Sequence, residues 1–181
     1  MTEDRLANDL CEPLIVLYQS WLAGWRPSPV SEERYQELKA KKDPRDPITA
    51  FAGFGLSFGG KFFGGYARNA RQDDFFGQAR NSLTRKLKKC EGVEFTNLDF
   101  EDLNIPDGSL VYLDPPYRNT IGYKATGEFD HDRFEAWAKA LSRRCVVAIS
   151  GYEPADGWTE VANFAKRSCL SSKTERLFVR C

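Results

Sequence analysis

The sequence of 181 residues predicts an α/β fold, because apolar strand-like runs alternate with an amphipathic helix in its second half. Residues 110–113 (LVYL) and 145–149 (CVVAI) are short apolar runs typical of buried strands, the second of a parallel strand covered on both faces. Between them, residues 131–142 carry apolar side chains at helical spacing: Phe134, Trp137, Ala138 and Leu141. Residues 93–96 predict another strand, and the segments 160–166 and 175–180 predict a terminal antiparallel pair.

Helical patterns dominate the first half of the chain. Residues 9–23 carry an apolar stripe formed by Leu10, Leu14, Leu17, Tyr18 and Trp21. Ser31 opens a short second helix that Asp43-Pro44 ends, and residues 74–89 predict a basic amphipathic helix. Residues 51–66 are too rich in glycine for a plain helix or a central strand.

The composition is that of an ordinary globular protein, with 41% hydrophobic and 29% charged residues. No apolar run approaches the ~20 residues of a membrane span, and the first residues do not resemble a signal peptide, so we expect a cytoplasmic protein. The scattered cysteines indicate reduced thiols, and with His131 as the one histidine no metal site is predicted.

The net charge is zero, so no global field draws the chain to nucleic acid. Basic residues nevertheless gather in one central stretch: Lys61, Arg68, Arg71, Arg80, Arg85, Lys86, Lys88 and Lys89. Two interpretations stay open, a solvated helix face, which the pattern alone favours, and a surface that contacts DNA.

The residues with the clearest chemical meaning follow the strand at 110–113 and read Asp114-Pro115-Pro116-Tyr117. Ligands of open α/β sheets bind outside the carboxyl ends of the strands. The exocyclic amine of adenine is a poor nucleophile, because its lone pair is delocalised into the ring. A carboxylate and a backbone carbonyl that both accept from this amine favour a tetrahedral nitrogen with a usable lone pair.

This chemistry assigns a role to each residue of the tetrapeptide. Asp114 supplies the carboxylate and Pro115 the carbonyl, while Pro115 and Pro116 stiffen the loop. Tyr117 offers an aromatic face to a base flipped out of the duplex, a role for which Tyr117→Phe is expected to be nearly silent. The alternative interpretation is a turn that simply ends the strand.

The segment Asp114–Tyr117 resembles the catalytic signature of amino-methylating DNA methyltransferases. Its surroundings resemble the Dam-like adenine-N6 family, and especially the phage-encoded members of that family. The likeness runs in order along almost the whole chain, through Asn8-Asp9 with residues 14–18, residues 50–55 and 64–68, residues 93–95, 150–152 and 175–179.

The resemblance implies a Rossmann-like S-adenosylmethionine-dependent methyltransferase sheet in one partial domain over residues 1–181. Residues 24–90 correspond to a helical DNA-recognition insert and residues 91–181 to the catalytic-motif part of the sheet. The implied activity is site-specific methyl transfer from S-adenosylmethionine to the exocyclic amine of a flipped adenine in double-stranded DNA. The implied setting is the cytoplasm of a bacterial host.

The resemblance also implies binding residues. Asp9 matches the acidic residue that holds the cofactor ribose, although an N-cap of the first helix is an equally good interpretation. Asp99 resembles the acidic position near the cofactor adenine. Residues 51–68 resemble the variable insert that contacts DNA, and phosphate contact and base stacking are expected from Lys61, Tyr66, Arg68 and Arg71.

The sequence departs from the family at its start. Members begin with a lysine-bearing glycine-rich segment, a strand and an F-x-G-x-G loop that contact the cofactor, and the matching segments here begin after both. Residues 51–55 (FAGFG) imitate that loop, but residues 43–49 before them predict no strand, so we interpret the match as coincidence. We therefore expect the sheet to lack its first strand and glycine loop, and the chain alone to bind S-adenosylmethionine weakly or not at all.

Three functions follow from these observations. The chain is an adenine methyltransferase, active alone or with a protein partner that carries the missing half. Alternatively, it is a catalytically silent descendant that binds DNA, or a phage protein that has reused the scaffold to inhibit a host protein. Affinity for S-adenosylmethionine separates the first function from the others, and DNA binding separates the second from the third.

Overall fold

The computed structural model describes residues 4–117, 129–151, 157–167 and 172–181, which form a mixed α/β protein. The chain divides into two compact units, residues 1–99 and 100–181, and each unit holds a sheet of its own. None of the described helices has the length and apolar character needed to cross a membrane.

The first unit combines a small parallel sheet with several helices. Strands β1 (Arg5–Asn8) and β2 (Val93–Thr96) pair in parallel, so the strand predicted at 93–96 is confirmed. The helices are α1 (Glu12–Leu22), α2 (Glu32–Lys41), α3 (Pro47–Ala50), a π-helix (Phe51–Gly55), a 3-10 turn (Phe58–Gly60), α4 (Phe75–Leu87) and a second 3-10 turn (Lys88–Cys90).

Local signals place the ends of these helices. The Ser31 hydroxyl accepts from the Arg34 amide and caps α2, as the sequence predicts. The helix ends at Lys42, which has a left-handed backbone, rather than at the Asp-Pro pair beyond it. Asp74 caps α4 through the amide of Gly77.

The core of the first unit is aromatic, and side chains of the glycine-rich segment pack in it. Tyr35 is fully buried, and its ring packs against Phe63 and Tyr66 at centroid distances of 5.2 and 5.3 Å. Its hydroxyl lies 2.7 Å from Ser57 Oγ and accepts from the Gly65 amide at 3.2 Å. Leu10 does not join the predicted stripe, because it precedes α1 and is 52% exposed.

The second unit contains a mixed four-stranded sheet in the order β3-β4-β6-β5. Its elements are β3 (Leu110–Leu113), α5 (His131–Leu141), β4 (Val146–Gly151), β5 (Thr159–Arg167) and β6 (Ser172–Arg180). Strands β3 and β4 are parallel, whereas β4 and β5 both run antiparallel to β6. The predicted strands, the helix between them and the terminal antiparallel pair are therefore confirmed.

The prediction that these strands are buried along their whole length is wrong. Leu110 and Tyr112 are 79% and 62% exposed, whereas Val147 on the neighbouring strand is fully buried. Side chains alternate between the two faces of a strand, and α5 packs Trp137 and Leu141 on the face that carries Val147. An apolar run therefore predicts the strand here but not which of its residues are covered.

Candidate active site

The register of two parallel strands places the central pair of the site. Leu113, the last residue of β3, lies opposite Ile149 of β4, so the next residues along, Asp114 and Ser150, are neighbours. Ser150 is only 4% exposed, and its hydroxyl donates to Asp114 Oδ1 at 2.7 Å. The Leu113 carbonyl lies farther from the same hydroxyl, at 3.4 Å. Ser150 therefore orients one edge of the Asp114 carboxylate.

A second hydrogen bond joins the loop to β6. Ser150 lies opposite Leu177 across the antiparallel pair, and Glu175 stands two residues before Leu177, on the same face of the sheet. The Tyr117 hydroxyl lies 2.7 Å from Glu175 Oε1 and 3.3 Å from Asp114 Oδ1. A phenol has one proton to donate, so the shorter contact identifies Glu175 as the acceptor.

The electrostatic environment keeps Tyr117 in its neutral form. Burial raises the pKa of Tyr117, and the Glu175 and Asp114 carboxylates raise this pKa further. The Ser150 hydroxyl acts in the opposite direction and lowers the pKa, but the shift as a whole is upward. Tyr117 therefore remains a hydrogen-bond donor at neutral pH.

The loop presents acceptor groups to the outside. Asp114 is exposed, and no residue in the described part of the chain donates a hydrogen bond to its Oδ2 atom. Within the same residues, nothing donates to the Pro115 carbonyl either. A carboxylate oxygen and a neighbouring carbonyl are the pair that an amine with two hydrogens requires, and among the described residues neither Asp114 Oδ2 nor the Pro115 carbonyl has an internal donor.

Asp9 and Asp99 both lie in the first unit, after the carboxyl ends of β1 and β2. Asp9 follows β1 directly and is held by its backbone, which bonds to Thr96 and receives the Asn97 side-chain amide. Its Oδ1 atom accepts from the Cys11 amide at 2.8 Å, and Cys11, not Asp9, is the N-cap residue of α1. The Asp9 carboxylate is exposed, and Asp99 is half-buried three residues after β2.

The residues predicted to contact DNA lie in different environments within the first unit. Lys61 and Arg71 are exposed, and Arg68 is exposed but pairs with Glu32 at 2.8 Å. Tyr66 is half-buried and donates its hydroxyl to the Val30 carbonyl at 2.9 Å. Its ring is thus used for packing rather than presented to solvent.

The sequence analysis did not single out Phe58, which is 75% exposed at the start of a tight loop. An isolated bridge between Ser57 and Tyr66 closes this loop, and the Phe58 amide bonds to the Gly65 carbonyl at 2.8 Å. Gly59 and Gly65 both have positive φ, the conformation that explains glycine at these positions. Lys61 projects from the same loop, so an aromatic ring and a cation are both exposed on it.

The segment Phe51–Gly55 is a π-helix that continues α3, with Phe51 and Ala52 buried. This segment is therefore not a cofactor loop with a strand-turn-helix arrangement, which agrees with the interpretation of the sequence match as coincidence. Ser150 and Glu175 fell within segments that matched the family, but nothing in the sequence assigned them a role. For Ser150 the available signal was a polar residue on an otherwise apolar strand, whereas Glu175 lies on a strand with several other polar residues and offered no such signal.

The family model for D12 class N6 adenine-specific DNA methyltransferases matches residues 47–173, which is more than two thirds of the chain. The matched region contains the Asp114–Tyr117 loop and Ser150. The protein therefore belongs to this family of DNA adenine methyltransferases, and the resemblance found in the sequence is confirmed. Members of such a family use S-adenosylmethionine as methyl donor and DNA as substrate.

The raised pKa of Tyr117 predicts a stability change at alkaline pH. Above the ordinary tyrosine pKa of about 10, the folded protein holds this proton more tightly than the unfolded chain. The tighter hold on the Tyr117 proton contributes fully to the free energy of unfolding below that pH, and this contribution is lost as the pH rises above it. From about pH 9.5 to about pH 11, the free energy of unfolding in urea should fall more steeply for the wild type than for Tyr117→Phe. Equal slopes would contradict this assignment.

Proposed function

We propose that the protein is a site-specific DNA adenine-N6 methyltransferase that acts on an adenine flipped out of double-stranded DNA. The observation that carries the proposal is the Asp114 carboxylate at the end of β3. One oxygen of this exposed carboxylate is oriented by Ser150, and no described residue donates a hydrogen bond to the other.

In the proposed mechanism, the loop binds both hydrogens of the adenine amine. Asp114 Oδ2 accepts one and the Pro115 carbonyl accepts the other, and the nitrogen lone pair is thereby directed out of the plane of the base. Tyr117 stacks on the flipped ring and excludes water from one side of it. S-adenosylmethionine, when bound, supplies the methyl group.

The cofactor residues are proposed within the first unit. Asp9 would accept from the ribose hydroxyls, and Asp99 would lie near the adenine of the cofactor. The strand order of the second unit, with its antiparallel end, supports a Rossmann-like methyltransferase sheet.

Replacing Asp114 by Ala should reduce methyl transfer by at least ~10²-fold, because the amine loses a positioned acceptor. The assay expresses each variant in a bacterial host without adenine methylation and quantifies N6-methyladenine in its DNA by mass spectrometry. Asp107→Ala is the matched control, because Asp107 is an exposed aspartate of the same unit that pairs with Arg144. Full methylation by Asp114→Ala would refute the role of Asp114, and no methylation by a wild type that binds S-adenosylmethionine would refute the proposed activity.

The loop that carries Phe58 and Lys61 should contribute to DNA binding. Phe58→Ala is expected to weaken binding by about 1–3 kcal/mol through the loss of base stacking. Lys61→Ala should reduce the slope of log affinity against log salt concentration by the amount that roughly one phosphate contact contributes. Fluorescence anisotropy with a labelled duplex at several salt concentrations measures both effects. Phe164→Ala, which removes an aromatic ring that is 63% exposed on β5, should leave binding unchanged.

Residues 1–181 alone should bind S-adenosylmethionine weakly or not at all. The exposed Asp9 would hold the ribose from one side, so the ordering cost of binding is poorly offset. Titration calorimetry on the purified chain measures this affinity, and Asp9→Ala should abolish any weak binding that remains. Micromolar one-site binding would show that the expectation is wrong and that the chain holds the cofactor unaided.

A further inference from the structure

Glu175 lies on β6, far along the chain from the loop that its side chain contacts. Its backbone belongs to a strand that pairs with β4 on one side and β5 on the other, and Glu175 itself lies opposite Phe164 of β5. Tyr117, in contrast, lies in the loop after β3, outside any helix or strand. The hydrogen bond therefore joins a loop residue to an interior strand of the sheet, at a position where that strand is paired with β5.

We propose that Glu175 is a positioning residue of the methyltransferase site, which acts by anchoring the Tyr117 ring through its hydroxyl. This inference rests on the proposed function, because the ring is assigned there to stack on the flipped adenine. A ring fixed only through its Cβ atom can turn about two side-chain torsions. A hydrogen bond at the far end of the ring removes this freedom before the base arrives, which lowers the ordering cost of binding the base.

The charge of Glu175 also determines which carboxylate accepts the hydrogen bond from the Tyr117 hydroxyl. The 2.7 Å contact draws the proton to Glu175, although Asp114 Oδ1 lies only 3.3 Å from the same hydroxyl. Asp114 thus has its Oδ1 atom bonded to Ser150, and its Oδ2 atom is the acceptor assigned to the amine in the proposed mechanism. Without Glu175, the Tyr117 hydroxyl would donate its hydrogen bond to Asp114 instead and weaken this carboxylate as an acceptor for the amine. Glu175 therefore anchors the ring of Tyr117 and keeps the Tyr117 hydroxyl from donating to Asp114.

A double-mutant cycle tests this anchor in the methylation assay. Tyr117→Phe and Glu175→Ala should each reduce the rate roughly fivefold, the loss that corresponds to one hydrogen bond. The contact with Glu175 thus replaces the expectation from the sequence that Tyr117→Phe is nearly silent. The double variant Tyr117→Phe/Glu175→Ala should lose no more than either single variant, because both remove the same interaction. Thr174→Ala, at an exposed neighbour on the same strand, should keep full activity. Losses that multiply in the double variant would overturn the proposal.

A spectroscopic arm tests the same contact without relying on activity. Protein labelled with ¹³C at the tyrosine Cζ atom is titrated by NMR, and Tyr117→Phe identifies the resonance of Tyr117. Glu175→Gln removes the negative charge with little change in shape, so Tyr117 should ionise at a lower pH in this variant. An unchanged titration would overturn the anchor even if the wild type methylates DNA. A shifted titration in a protein without methylation would support the anchor while refuting the proposed function.

Discussion

Parallel pairing of β3 with β4 is the constraint on which the candidate site depends. The opposition of Leu113 and Ile149 brings Asp114 and Ser150 to the same edge and the same face of the sheet. A shift of one residue in this register would turn every side chain of one strand to the other face and separate the pair. The buried Val147, packed under α5, makes such a shift costly. The packing of an apolar core thus determines the orientation of an exposed carboxylate.

The candidate site contains few hydrogen-bond donors and several acceptors. Ser150 and Tyr117 each donate one hydrogen bond, to Asp114 and to Glu175 respectively, and the two carboxylates only accept. Among the described residues, this distribution leaves one oxygen of Asp114 without an internal donor. The family membership shown by residues 47–173 and this arrangement of acceptors lead to the same chemistry, the activation of an amine.

The first unit shows how a glycine-rich segment can be a packed structure and a source of exposed groups at once. Most of its aromatic rings pack around Tyr35 and Phe51, which are nearly inaccessible to solvent. The positive φ angles of Gly59 and Gly65 allow the chain to reverse within a few residues. That reversal leaves Phe58 and Lys61 outside, and they are the groups that we assign to DNA.

The sequence by itself determined the elements of the second unit, the position of the Asp114–Tyr117 loop and the family, because strand periodicity and a contiguous motif are local properties. It did not determine that Leu110 and Tyr112 are exposed. Nor did it determine that the ring of Tyr66 packs against the first unit, whereas the ring of Phe58 is exposed. Exposure depends on which element covers a face, and that is decided by distant parts of the chain. The contact between Tyr117 and Glu175 joins residues 58 positions apart, and only the strand order β3-β4-β6 brings them within a hydrogen bond.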